Sequence, residues 1–174
     1  MKLSKKYLAL GLLGSVLTAG SAYAATQSVT ANIRFDTALA LTKNFDINFG
    51  MVKASTAGDF TIDTAGTITP ANGGVVIGGT PVVGDITIVG STDQTIAIST
   101  GTYVAAGIGD GVTLSDATCK YGTATAAACD TPLTAQAAPG AGTHLLLGVK
   151  ATVDANQTAG THPTPAFTVT VVYG

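Results

Sequence analysis

Gly160-Thr161-His162-Pro163-Thr164-Pro165-Ala166-Phe167-Thr168-Val169-Thr170-Val171-Val172-Tyr173-Gly174 reads as a turn followed by one β-strand. Phe167, Val169, Val171 and Tyr173 alternate with Thr168, Thr170 and Val172. A two-residue period sets the first group on one face of a sheet and the second on the other. No strand pattern follows, so this strand is expected to close the fold. Its sheet has two possible completions: the N-terminal segment of the same chain, or a strand from another chain.

The same alternation recurs upstream. Val29-Thr30-Ala31-Asn32-Ile33-Arg34-Phe35 puts Val29, Ala31, Ile33 and Phe35 on one side. Further strands are expected over 45–49, 60–63, 74–77, 85–89, 94–99, 111–114 and 144–153, punctuated by Gly, Asp, Asn and Pro. Phe45, Ile47, Phe49, Ile86, Ile88, Ile96 and Ile98 are the expected core. Residues 116–141, Ala-rich and irregular, read as a long loop or an inserted hairpin. Eight or nine short strands in one chain imply an all-β, immunoglobulin-like β-sandwich.

Composition agrees. The 174 residues include 29 Thr and 22 Gly, no Trp and no Glu, with 10% charged residues and a mean hydropathy of +0.43. Strand formers dominate and strong helix formers are scarce. That hydropathy excludes a disordered chain, and pI ≈ 5.4 leaves no basic stripe for nucleic acid. Threonine wets the outer faces without charge, and few Lys or Pro residues block strand edges.

Lys2, Lys5 and Lys6, an apolar stretch from Tyr7 to about Leu17, and Ala22-Tyr23-Ala24 form a signal-peptide pattern with cleavage between Ala24 and Ala25. The apolar stretch is too short to span a bilayer, and no later run is longer. The expected organisation is a signal peptide over 1–24, an N-terminal extension or first strand over 25–36, and the sandwich over 37–174. The mature chain keeps five bases (Arg34, Lys43, Lys53, Lys120, Lys150) against ten Asp, a net charge of −5. Export through the inner membrane, with transit of the periplasm to the cell surface or medium, makes Cys119 and Cys129 an expected disulfide.

Catalytic chemistry finds no constellation. His144 opens an expected strand and His162 sits beside Pro163, each apart from any nucleophile. Most Asp residues flank Gly at turns, Gly107-Ile108-Gly109-Asp110-Gly111 lacks the Lys and helix of a phosphate loop, and no calcium-loop pattern occurs. No enzyme activity, cofactor or metal is expected. Tyr103 and Tyr121, expected in loops, give a thin signal for sugar stacking.

Gly160, fourteen residues before the last, the penultimate Tyr173 and the alternation between them resemble the C-terminal signature of chaperone–usher pilus subunits. The resemblance implies a sandwich missing its seventh strand, filled first by a periplasmic chaperone and then by the N-terminal extension of the next subunit. On this reading Gly160, Phe167, Val169, Val171 and Tyr173 belong to the acceptor strand. Val29, Ala31, Ile33 and Phe35 belong to the donor, spaced to fill alternate pockets by strand addition.

Leu39 to Gly50, with Ile47-Asn48-Phe49-Gly50, and the ending from Leu147-Gly148-Val149-Lys150 through Val153 to Gly160 are similar to a bacterial secreted family, domain of unknown function 4402. That likeness runs from about Leu39 to Tyr173. Its ending is shared with pilins, including the spore-coat-protein-U-like pilins of archaic usher systems. The usual pilin disulfide ties early strands, whereas Cys119 and Cys129 lie late in the chain. The reading is a structural subunit of a surface fibre, with pilin subunits, a chaperone and an outer-membrane usher as partners. The alternative is a self-complemented secreted or surface-attached binding module.

Overall fold

The computed structural model describes residues 26–104, 111–160 and 165–174. The expected Ala24–Ala25 cleavage site and His162 lie outside the described residues. The chain divides into two units, 1–34 and 35–174. In the first, residues 26–34 carry no strand, and Val29 and Ile33 are 91% and 77% exposed.

Among the described residues the second unit holds twelve strands and no helix. In chain order they are β1 (Ala40–Phe45), β2 (Met51–Val52), β3 (Gly58–Ile62), β4 (Ile68–Ala71), β5 (Val76–Gly78), β6 (Gly84–Val89), β7 (Ile96–Val104), β8 (Val112–Tyr121), β9 (Ala127–Ala128), β10 (Leu133–Gln136), β11 (Thr143–Val153) and β12 (Ala166–Tyr173). The fold is an all-β sandwich of antiparallel sheets, as the alternation predicts.

β11 is the axis of the larger, seven-stranded sheet. Along one edge it pairs first with β6, over Thr143–Leu147, and then with β3, over Val149–Val153. Its other edge pairs with β8. β1, β4 and β9 flank β6, β3 and β8 respectively. Gly148 sits at the handover from β6 to β3, where a Cβ would lie 2.4 Å from Ile62 O and 2.7 Å from Thr118 Oγ1. Only glycine fits so close an approach.

The smaller sheet has the order β10-β7-β12, and β2 pairs with β5 in a separate ribbon. Between the layers Ile62, Ile88, Ile96, Ile98, Leu145, Leu147 and Val149 are buried with Ala117, Tyr121 and both cysteines. Each large aliphatic side chain so buried contributes roughly 1.5–3 kcal/mol.

Of the two readings of residues 116–141 the hairpin forms: β8 continues to Tyr121 and turns back into β9, and β10 follows. Two expectations are corrected. The strand expected at 45–49 is displaced to 40–45, and beyond it only the Asn48–Val82 bridge forms. Phe45 is therefore 59% exposed rather than core, while Ile47 and Phe49 are half-buried. Tyr103 and Tyr121 lie in strands β7 and β8.

Candidate functional site

β12 pairs with β7 along one edge, and among the described residues its other edge meets no strand. Phe167, Val169, Val171 and Tyr173 turn inward onto the core, while Thr168, Thr170 and Val172 face out. The alternation read in the sequence is thus the alternation in space. Against the first half of β12 runs a groove of about 1200 Å³, to which Phe167 and Val169 contribute one wall.

Ile86 of β6 and Leu147, Val149 and Ala151 of β11 line the groove on the larger sheet. Phe45, Ile47 and Phe49 also face it. Beyond Phe45, the last residue of β1, Ile47 and Phe49 leave the ladder where Asn48 bridges Val82 in both directions at 2.8 Å and Gly50 turns the chain at φ 71°. Asn48 Oδ1 accepts from Gly50 N at 2.7 Å and tightens that turn. Charge is confined to Lys43, Asp46 and Lys53, with Lys43 Nζ 2.8 Å from Asp46 Oδ1. The lining is otherwise apolar or neutral, which suits alternating apolar side chains on an extended segment.

Gly160 lines the groove at φ 139°, and a Cβ there would meet nothing within 4 Å. Val171 and Tyr173 lie outside the groove lining, at the C-terminal end of β12. There the Tyr173 hydroxyl donates to Thr37 O and accepts from Ser91 N at 2.8 Å. Phe35, at the end of the expected donor row, is 90% exposed, and residues 35–39 form no strand.

Cys119 and Cys129 form a disulfide with a Cα–Cα distance of 5.7 Å, and both are buried. Cys129 also joins the two sheets through its backbone. Its N–H donates to Ala117 O of β8 at 3.1 Å, and its carbonyl accepts from Thr100 N of β7 at 2.8 Å. Tyr103 spans the same gap: its hydroxyl donates to Asp130 Oδ1 and accepts from Ala117 N at 3.1 Å. Burial, then the Asp130 contact, pushes the Tyr103 hydroxyl up in pKa. Burial likewise raises Tyr121, whose hydroxyl has no partner; Thr143 gives its own hydrogen to Pro139 O at 3.0 Å.

Ionic groups gather on the larger sheet. Hydrogen bonds from Thr152 at 2.7 Å and Asn72 at 2.6 Å hold Asp59 below the ordinary carboxylate value. Lys150 Nζ, 2.6 Å from Asp116 Oδ2, lowers Asp116 and is itself raised. His144 is the second residue of β11, after Thr143, and its Nδ1 lies 2.8 Å from Asp85 Oδ1. Among the described residues no three His, Cys, Asp or Glu side chains gather as metal ligands, and no helix is long and apolar enough to cross a membrane.

Sequence reasoning missed the part that residues 45–54 play in lining the groove, and it missed Thr37, Gly90, Ser91 and Gln94 around Tyr173. The Gly90-Ser91-Thr92-Asp93 turn was the available signal, since Ser and Asp there hydrogen-bond locally.

A family model described as a domain of unknown function (DUF4402) matches residues 39–173. No curated protein and no solved structure matches the chain. The chain belongs to the DUF4402 family.

Proposed function

With that membership as premise, we propose that the protein is a structural subunit of a bacterial surface fibre, polymerising by donation of its N-terminal strand to a neighbour. The observation that carries this reading is the apolar groove lying against β12, a strand with one edge unpartnered among the described residues. Residues 29–35 supply a matching occupant. Seven extended residues span about 23 Å, close to the roughly 26 Å of the eight-residue β12. Val29, Ile33 and Phe35 are exposed, so burying them in the groove returns the hydrophobic free energy that exposure forgoes.

Direction matters to the outcome. The extension joins the domain at Asp36–Thr37, beside Tyr173, whereas the groove lies toward the Ala166 end of β12. A donor running antiparallel to β12 leaves the acceptor at its Ala166 end and meets its own domain at the Tyr173 end. Unlike ends then face each other, and the contact is heterologous and open, as a fibre requires. A parallel donor would join like ends and close as a dimer. An oxidising compartment, a chaperone to cover the groove and an usher to release it are the partners this assembly needs.

The deciding experiment is an SDS gel of the chain beginning at Ala25, with and without boiling, beside a chain beginning at Asp36. A ladder that collapses on boiling and is absent from the shorter chain is the expected result. A single monomer band, with the shorter chain markedly less stable, would make residues 25–36 part of a self-complemented domain and end the fibre reading.

A further inference from the structure

The N-terminal extension is fastened at its root, and the fastening is made to the strand with the free edge. Thr37 O accepts from the Tyr173 hydroxyl, which accepts in turn from Ser91 N at 2.8 Å. Beside it, Gln94 Nε2 donates to Asp36 Oδ2 at 2.5 Å, while Asp36 Oδ1 accepts from Thr37 N at 2.8 Å. Ser91 Oγ holds the turn that presents these groups, donating to Asp93 Oδ1 at 2.7 Å and accepting from Gln94 N at 3.2 Å. Glycine at position 90 permits the arrangement. A Cβ there would lie 2.7 Å from the Tyr173 hydroxyl and 2.9 Å from Leu39 Cδ2.

We propose that Tyr173 and Gln94 form a root clamp that carries tension from one subunit to the next. The inference rests on the donor-strand reading. Tension on residues 29–35, seated in a neighbour, enters the domain at Asp36 and Thr37. The clamp delivers it to Tyr173 at the end of β12, the strand whose free edge receives the following donor. Load then runs from donor to donor along β12. Without the clamp it would reach Ala40, the first residue of β1, which is exposed along its whole length and held by β6 alone. A pull on that end loads the hydrogen bonds one after another, so the strand peels. Tyr173 is thus a positioning residue, and its hydroxyl matters beyond its ring.

Hydrogen exchange on the full chain from Ala25 tests this, comparing wild type with Tyr173→Phe and Gln94→Ala. Tyr173→Phe keeps the ring and loses both hydrogen bonds, so exchange over 37–41 is expected to rise about tenfold. Gln94→Ala should move the same segment in the same direction by less, with protection of Leu145–Val149 in β11 unchanged. The Tyr173→Phe ladder should also collapse at a lower temperature on SDS gels. Unchanged exchange over 37–41 in both variants would overturn the clamp. So would loosening that spreads equally into β11, which would make Tyr173 a general core residue. A wild-type chain that forms no ladder ends the donor-strand reading instead. A Tyr173→Phe ladder as heat-resistant as the wild type ends the clamp and leaves that reading standing.

Discussion

In the larger sheet β11 is paired along both edges, and the strands carry Lys43, Asp59, Asp85, Asp116, Lys120 and Lys150. In the smaller sheet, among the described residues, β7 alone has two partners, no residue of β7, β10 or β12 is charged, and β12 keeps a free edge. The two layers share one core, and among the described residues β12 meets no strand along its second edge, whereas β8 of the larger sheet meets β9 there at Thr118 and Cys119. Charge on and beside strands discourages pairing with foreign chains. The strands of the smaller sheet carry none, so a donor joining β12 meets ions only at Lys43, Asp46 and Lys53 of the groove, and its own Arg34 falls on the face opposite Val29, Ala31, Ile33 and Phe35.

The sharpest challenge to this comparison is at the core. Ile98 of β7 and Leu145 of β11 are both fully buried, so Ile98→Ala and Leu145→Ala should each lower stability by roughly 2–5 kcal/mol in urea unfolding. A far smaller loss for Ile98 would show that the smaller sheet is not a full packing layer. Next comes the disulfide at the junction of the sheets. Reducing it, or replacing both cysteines by Ala, should cost about 3 kcal/mol for a loop of this length, read as a lower Tm under reductant.

Tyr121→Phe sharpens the picture on a smaller scale. Its buried hydroxyl is unpartnered, so the substitution should be neutral or raise stability by up to about 1 kcal/mol, because no bond is lost and one desolvated group is removed. The smallest expected effect is the pH response, which belongs to the larger sheet. Asp59 and Asp116 are lowered from 3.8, so their contribution is present above that value and lost as pH falls through the depressed ones. Lys150 is raised from 10.5, so its contribution is present below that value and lost as pH rises through the elevated one. Asp116→Asn should flatten the alkaline limb of a Tm-against-pH profile. An unchanged limb would show that the ion pair contributes nothing at this exposed site.

How much was legible beforehand differs by segment. The expected 166–173 strand coincides with β12, and 85–89 and 144–153 lie within a residue of β6 and β11. In each, alternation and β-branched residues point the same way. For residues 116–141 the choice between a long loop and a hairpin stayed open because Ala and Thr there give no clear period; the β8–β9 hairpin and β10 owe their pairing to β11, the Cys129 crossing and β7. Residues 45–49 misled in the opposite sense. Their alternation is real, but after Phe45 the chain makes one bridge and a glycine turn, so Phe45 is exposed at the groove while Ile47 and Phe49 line it and pack half-buried against the core.

The sequence by itself determined that this chain is all β, which face of each long strand is apolar and where charge is absent, because these depend on local period and composition. Tertiary structure alone decided that β12 keeps an open edge, that residues 45–49 face a groove and that Thr37 is bound to Tyr173. Those outcomes depend on hydrogen-bond partners up to 136 residues apart, and no local pattern specifies which distant backbone will arrive.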